Sequence, residues 1–135
     1  MPELSIDVYG IPEPQERPRA CRAGGFIKVY SPHNQWYDRV YATALACRPS
    51  RPFDFPIRLR IEFLSPRPRR PKHPYWMVTR PDLDNLIKGT LDAMTKGRIW
   101  RDDSLVVEIT ATKSYAGGDD PPGAIIEIYN AEEPA

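Results

Sequence analysis

Pro81 and Gly97 bracket the segment that most limits what this chain can become. Between them Leu83, Leu86, Ile87, Leu91 and Met94 form one apolar stripe at helical spacing. Pro81 lacks a backbone donor and biases Arg80 away from helical geometry, so the spacing predicts a helix from about Asp82. Gly97, just after Lys96, supplies its stop. A stripe this regular has to be laid on another layer of structure, and the flanking segments offer one. Ile57, Leu59, Ile61 and Phe63 alternate with Arg58, Arg60 and Glu62, the pattern of a strand with one face on a core. Ser104–Thr112 alternates again, with Leu105, Val107 and Ile109 expected on the core side.

The remaining segments fill out the layer. Leu4–Tyr9 and Ala124–Tyr129 read as strands and Phe26–Tyr30 as a short one, while Gly10–Gly25 and Pro66–Pro74 are too rich in breakers to be anything but loops. Ser31 as N-cap and Pro32 as first helical residue open a second helix, in which Trp36, Val40, Tyr41, Ala44 and Leu45 repeat until Pro49. Trp36 and Tyr41 have the spacing of core residues, although either could stack on a base, and His33 suits a cap or the surface. The order of elements gives the α+β class: a single domain over residues 1–135, a mixed β-sheet with two main helices packed on it, and a disordered tail at 131–135. One core fits a chain of 135 residues.

The formal net charge of +1 conceals a segregation. Residues 48–80 carry Arg48, Arg51, Arg58, Arg60, Arg67, Arg69, Arg70, Lys72 and Arg80 against Asp54 and Glu62 alone, and residues 114–135 are acidic with no basic side chain. That asymmetry points to a polyanionic partner, with a solvated Arg-rich surface as the plainer alternative. Cys21 and Cys47 match no zinc spacing and make no disulfide framework. The start Met-Pro-Glu-Leu-Ser lacks the features of a signal peptide, and no apolar run reaches membrane-spanning length. The expectation is a cytoplasmic protein with reduced thiols, no membrane partner and no small-molecule cofactor.

The head of the 82–96 helix concentrates the chemistry. Asp82 at the N-cap and Asp84 in the first turn are what any helix start favours, and capping alone accounts for Asp82. The pattern exceeds capping, however. Lys88 follows Asp84 at i, i+4 and precedes Asp92 at the same spacing, either as a surface ion pair or as a cation beside the acids. Asp103 shares alternation phase with Leu105, Val107 and Ile109 and is expected to face the core side near the helix, with Asp102 facing away. Three converging carboxylates (Asp82, Asp84 and Asp103) form an oxygen-only donor set, which suits Mg²⁺, with Mn²⁺ a second possibility. Such an ion activates water and neutralises charge on a phosphodiester, while Lys88 holds a non-bridging oxygen. Arg17, Arg19, Arg67, Arg69, Arg70, Lys72 and Arg80 are the candidate backbone-binding cations. Tyr75 and Trp76 could stack on an unpaired base or pack under the loop. The prolines should hold the 66–74 loop extended, keeping its cations off the body of the protein.

These residues resemble a known family. Arg80-Pro-Asp-Leu-Asp-Asn-Leu-Ile-Lys, Leu91-Asp-Ala-Met and Trp100-Arg-Asp-Asp-Ser-Leu-Val, with Gly10-Ile-Pro-x-Pro-x-x-Arg17-Pro-Arg19 upstream, are similar to the RusA family of Holliday junction resolvases, common in prophages. The resemblance runs from about residue 5 to 129. It implies a RusA-like fold and a homodimeric, Mg²⁺-dependent endonuclease that cuts four-way DNA junctions in symmetric pairs, with Asp82, Asp84, Asp103 and Lys88 as its essential residues. A two-fold dimer also matches a substrate with two equivalent strands to cut. A non-catalytic relic that only binds junctions, and a nuclease for other branched DNA, are the alternatives. The 65–79 loop is longer than in the shortest members, which leaves the path of DNA there open.

Overall fold

The computed structural model describes residues 1–15, 19–30 and 34–134, with the backbone alone at 19–21, 23 and 28–30. Its strands are β1 (Leu4–Tyr9), β2 (Arg19–Ala23), β3 (Phe26–Tyr30), β4 (Ile57–Ser65), β5 (Val106–Tyr115) and β6 (Gly123–Asn130); its helices are α1 (Gln35–Cys47) and α2 (Leu83–Lys96). A four-stranded mixed sheet has the order β1-β6-β4-β5, antiparallel except for the parallel pair β4–β5. Parallel neighbours need a crossover, and residues 66–105 supply it. The basic loop, α2 and the acidic segment after it therefore belong to one connection. The α+β arrangement expected from the pattern is present.

Both helices pack on one face of the sheet. Ile57, Leu59, Ile61 and Phe63 of β4 are fully buried, together with Ile6 and Val8 of β1 and Ile126 and Ile128 of β6. Trp36 joins this core and donates its Nε1–H to Thr90 Oγ1 at 3.1 Å, tying α1 to α2. Trp100 likewise donates to Thr95 Oγ1 at 2.7 Å, closing the far end of α2. Tyr41, by contrast, is on the exposed side of α1. The buried stripe of α2 centres on Leu86, Thr90, Ala93 and Met94, with Leu83, Ile87 and Leu91 partly buried beside it. Gly97 does end α2, but for a packing reason: its φ is −75°, and a Cβ there would stand 2.4 Å from Ala44 Cβ.

Four expectations need correction. Residues 19–23 are a strand, because Gly24 and Gly25 at φ 58° and 86° make a two-residue turn that pairs them with β3. Read along the chain, those glycines look only like breakers. Helix α1 begins later than the Ser31–Pro32 signal suggests. Asn34 is its N-cap, with Oδ1 accepting the Tyr37 N–H at 2.8 Å, and Ser31, Pro32 and His33 lie outside the described residues. The core-side phase expected for Leu105, Val107 and Ile109 holds only at Leu105, which is partly buried against the core. Val106 pairs with Ile57 and Glu108 with Arg58, so Val107 is an extra residue and is 63% exposed, and Ile109 at the sheet edge is 38% exposed. Finally, the 66–74 loop does not stay extended, because Arg67 Nη1 donates to the Pro74 carbonyl within it.

The second sheet face is polar. Arg58 pairs with Glu108 at 2.7 Å, and Arg60 approaches Glu62 at 3.4 Å and Glu127 at 3.9 Å. Two cations of the basic segment are thus neutralised locally, while Arg69, Arg70, Lys72 and Arg80 of the crossover make no ion pair among the described residues. Beyond β6, Ala131 N–H donates to Pro56 O at 2.8 Å and Glu133 N–H to Asn130 O at 3.1 Å, while Ala135 lies outside the described residues. No helix among the described residues is long and apolar enough to cross a membrane.

Candidate functional site

Asp82 takes the N-cap position of α2, with extended backbone (φ −71°, ψ 144°), yet its side chain makes no capping hydrogen bond. Its main-chain oxygen accepts the Leu86 N–H at 3.2 Å, which starts the helix without using the carboxylate. Capping therefore does not account for the acid. Asp84 and Lys88 are exposed on the next turns, and among the described residues Lys88 pairs with neither Asp84 nor Asp92. Asp92 is taken instead by Gln15, whose Nε2 donates to Oδ2 at 2.8 Å. Gln15 lies across Gly89, where a Cβ would meet the Gln15 Cβ at 3.2 Å, and Pro14 lines a recess of about 350 Å³ with Arg80, Pro81, Asp82 and Asn85. The segment at 14–15 thus covers one flank of α2 and leaves Asp84 and Lys88 open.

Asp103 is elsewhere. It begins a 3₁₀ turn, Asp103–Leu105, and lines a groove of about 460 Å³ with Gln15, Tyr37, Asp92, Thr95, Lys96, Arg98, Arg101 and Asp102. That groove lies along the C-terminal half of α2, a helix of 14 residues and so roughly 20 Å in length at 1.5 Å per residue. Asp82 and Asp103 stand toward opposite ends of it. Among the described residues no group of three His, Cys, Asp or Glu side chains is close enough to hold a metal ion. The expected convergence of the three acids within one chain is thus not what the fold produces. The alternation along this segment breaks at Val107 and again in the 3₁₀ turn, neither of which preserves a two-residue period.

Asp102 and Asp103 are nonetheless distinguished. The Ser104 hydroxyl donates to Asp102 Oδ2 and, as the largest cause, holds that carboxyl below its ordinary range. Asp102 is occupied by its own turn. In the same groove, burial first and the Asp92 carboxylate second push the Tyr37 phenol up.

Of the candidate DNA-binding residues, Arg69, Arg70, Lys72, Tyr75, Trp76 and Arg80 are all exposed in the crossover, and Arg67 is held by Pro74. Tyr75 and Trp76 meet edge to face at 4.7 Å and lie along the end of β5, where Tyr115 N–H donates to Tyr75 O at 3.0 Å. Arg17 lies outside the described residues, and Arg19 begins β2. Gln15, Arg98 and Arg101, which no sequence signal marked, and Asn85, the amide at the head of α2 to which no role was assigned, also line the two recesses. Only Asn85, inside the Asp-Leu-Asp-Asn run, carried a signal that could have drawn attention.

Comparison with known proteins adds a second line of argument. Residues 10–129 match the family described as Endodeoxyribonuclease RusA. A Bacillus subtilis (strain 168) protein, "Uncharacterized protein YqaN", is 29% identical over 126 residues, covering 84% of this chain and 88% of its own. The crossover junction endodeoxyribonuclease of Lactococcus phage r1t is 27% identical over 113 residues, covering 82% and 86%. The enzyme of the same name from Escherichia coli (strain K12) is 40% identical over 58 residues, covering 43% of this chain and 40% of its own.

Proposed function

This chain belongs to the RusA family of endodeoxyribonucleases, and we propose that it resolves four-way DNA junctions through a carboxylate site headed by Asp82. It is a nuclease that acts on crossover junctions, as its named relatives are. Family members are generally divalent-metal dependent. The residues fit such an ion. The donors are carboxylates only, and a small cation that keeps its own waters needs one or two of them, with substrate phosphate completing the shell, rather than a closed cage. The observation that carries the assignment is the uncapped Asp82 carboxylate. We assign Asp82 and Asp84 as ligands for Mg²⁺, with Mn²⁺ able to replace it, and Asp103 as the third acid. A divalent cation held by those acids would supply charge neutralisation at the scissile phosphate and a more acidic bound water.

The chain's own residues supply the rest. Lys88, without an ion-pair partner among the described residues and on the flank that Asp84 shares, donates to a non-bridging phosphate oxygen and stabilises charge that grows in the transition state. Arg69, Arg70, Lys72 and Arg80 neutralise backbone phosphates without reading bases, and Tyr75 and Trp76 offer faces to unstacked bases. Because Asp103 stands away from Asp82 in its own chain, the third carboxylate is best supplied by a second copy. A two-fold homodimer delivers two such composite sites at once, one for each strand to be cut.

The test is a synthetic four-way junction with Mg²⁺. Wild-type protein is expected to nick it in symmetric pairs, in preference to flaps and forks. Asp82→Asn should bind within about threefold of wild type yet cut at least about a hundredfold more slowly, since a lost metal ligand removes several kcal/mol at about 1.4 kcal/mol per tenfold. Undiminished cutting by that variant would overturn the site.

A further inference from the structure

Residues 78–81 join the basic loop to α2, and their side chains give them little to hold on to. Val78, Thr79 and Arg80 are exposed, and Pro81 is half-buried. What fixes this stretch is one residue of β5. Lys113 Nζ donates to the Thr79 carbonyl at 2.8 Å and to the Pro81 carbonyl at 2.7 Å. Its own carbonyl accepts the Met77 N–H at 3.3 Å. Among the described residues no other hydrogen bond or ion pair reaches 78–81. Lys113 is itself well placed to act as a fixed post. It stands opposite the fully buried Phe63 in the β4–β5 ladder, on the helix side of the sheet, and is half-buried.

Helix stability does not explain a cation in that place. The N-terminus of α2 is already the positive end of its dipole, where acids are favoured and ammonium groups are not. A neutral donor would hold the two carbonyls without that conflict. A cation becomes useful there if the neighbourhood must gather negative charge, as a site of carboxylates and phosphate does.

We propose that Lys113 is a positioning residue for Asp82: by pinning the carbonyls of Thr79 and Pro81 it fixes the backbone from which the Asp82 carboxylate is presented. The inference rests on the assignment of Asp82 to the reaction. It gives the sheet a function in catalysis that no motif in the 80–95 segment contains, because Lys113 lies 31 residues beyond Asp82 in the chain.

Lys113→Met keeps the length of the side chain and removes the donors, and Lys113→Arg keeps a cation with several donors. The full-length variants are compared with wild type and with Asp82→Asn in three measurements. These are junction affinity without divalent metal, the cutting rate at saturating junction across a Mg²⁺ series, and Mn²⁺ affinity by electron paramagnetic resonance without DNA. For Lys113→Met the expectation is junction affinity within about threefold of wild type. Its cutting rate should fall about 10- to 100-fold and its Mn²⁺ affinity about tenfold, the scale seen when a support behind a metal ligand is removed. Lys113→Arg should recover most of both. Wild-type cutting and Mn²⁺ affinity in Lys113→Met, with Asp82→Asn inactive, would overturn the role of Lys113 and leave the site standing. A loss in Lys113→Met that follows only lowered junction affinity or a lowered melting temperature, with no recovery in Lys113→Arg, would overturn it as well. Full activity of Asp82→Asn would instead refute the site itself.

Discussion

Two neighbouring aspartates, Asp102 and Asp103, show how much a single hydrogen bond can sort at the scale of residues. Both are exposed, and both follow the same buried Ile99-Trp100 pair. The Ser104 hydroxyl donates to Asp102 and not to Asp103. The ionised form of Asp102 is favoured in the folded state, so its contribution to stability is present above the ordinary value of 3.8 and disappears as pH falls through the lowered folded value. In Ser104→Ala, carbon-detected NMR titration should show the Asp102 midpoint moving up toward 3.8. A midpoint that stays put would mean that the neighbouring backbone groups, and not Ser104, hold the charge. Asp82 illustrates the converse. Its sequence position announces a cap, and the fold leaves the cap bond unmade.

At the scale of elements, α2 was legible because its determinants are local. Pro81, the apolar stripe and Gly97 fix its ends and its buried side within seventeen residues, and the structure agrees to within a small rotation of the stripe. What was not legible is what lies against it. Thr90, polar in the sequence, is fully buried because it accepts the Trp36 Nε1–H from α1. Thr90→Val keeps the shape and strands that donor, which should lower stability by about 1–3 kcal/mol in urea unfolding. A loss below that range would mean that the indole finds another acceptor. Strand β5 was misread for a related reason. Its alternation is interrupted at Val107, and a bulge is a property of the pairing with β4, not of either strand alone. The Gly24–Gly25 turn likewise shows its purpose only once β2 and β3 face each other.

For the whole molecule, the crossover between β4 and β5 gathers Arg69, Arg70, Lys72 and Arg80, the exposed aromatic pair and the acids into one connection, while Arg58 and Arg60 are neutralised on the far face of the sheet. The spacing of Asp82 and Asp103 along α2 is what the proposed dimer, already a symmetry match, would bridge. Subunit mixing tests this directly. If Asp103 serves the partner's site, Asp82→Asn and Asp103→Asn proteins, each inactive alone, should form a heterodimer with one intact site when mixed. That heterodimer would nick a single strand of the junction. A mixture as inactive as its components, with subunit exchange verified by mass, would place all three acids in one chain's site and defeat the composite arrangement.

The sequence by itself determined the layers, the helix that carries Asp82, Asp84 and Lys88, and the kind of chemistry those side chains suit. Each of these follows from periodicity, from proline and glycine, and from residue type, which act over a few positions of chain. Only the tertiary structure decided which acids are free, which cations are already spent, and where Asp103 stands. Those outcomes depend on partners far apart in sequence, such as Gln15 with Asp92, Arg58 with Glu108, and Lys113 with Thr79 and Pro81. Contacts of that kind exist only after the chain has folded, and no local pattern records them.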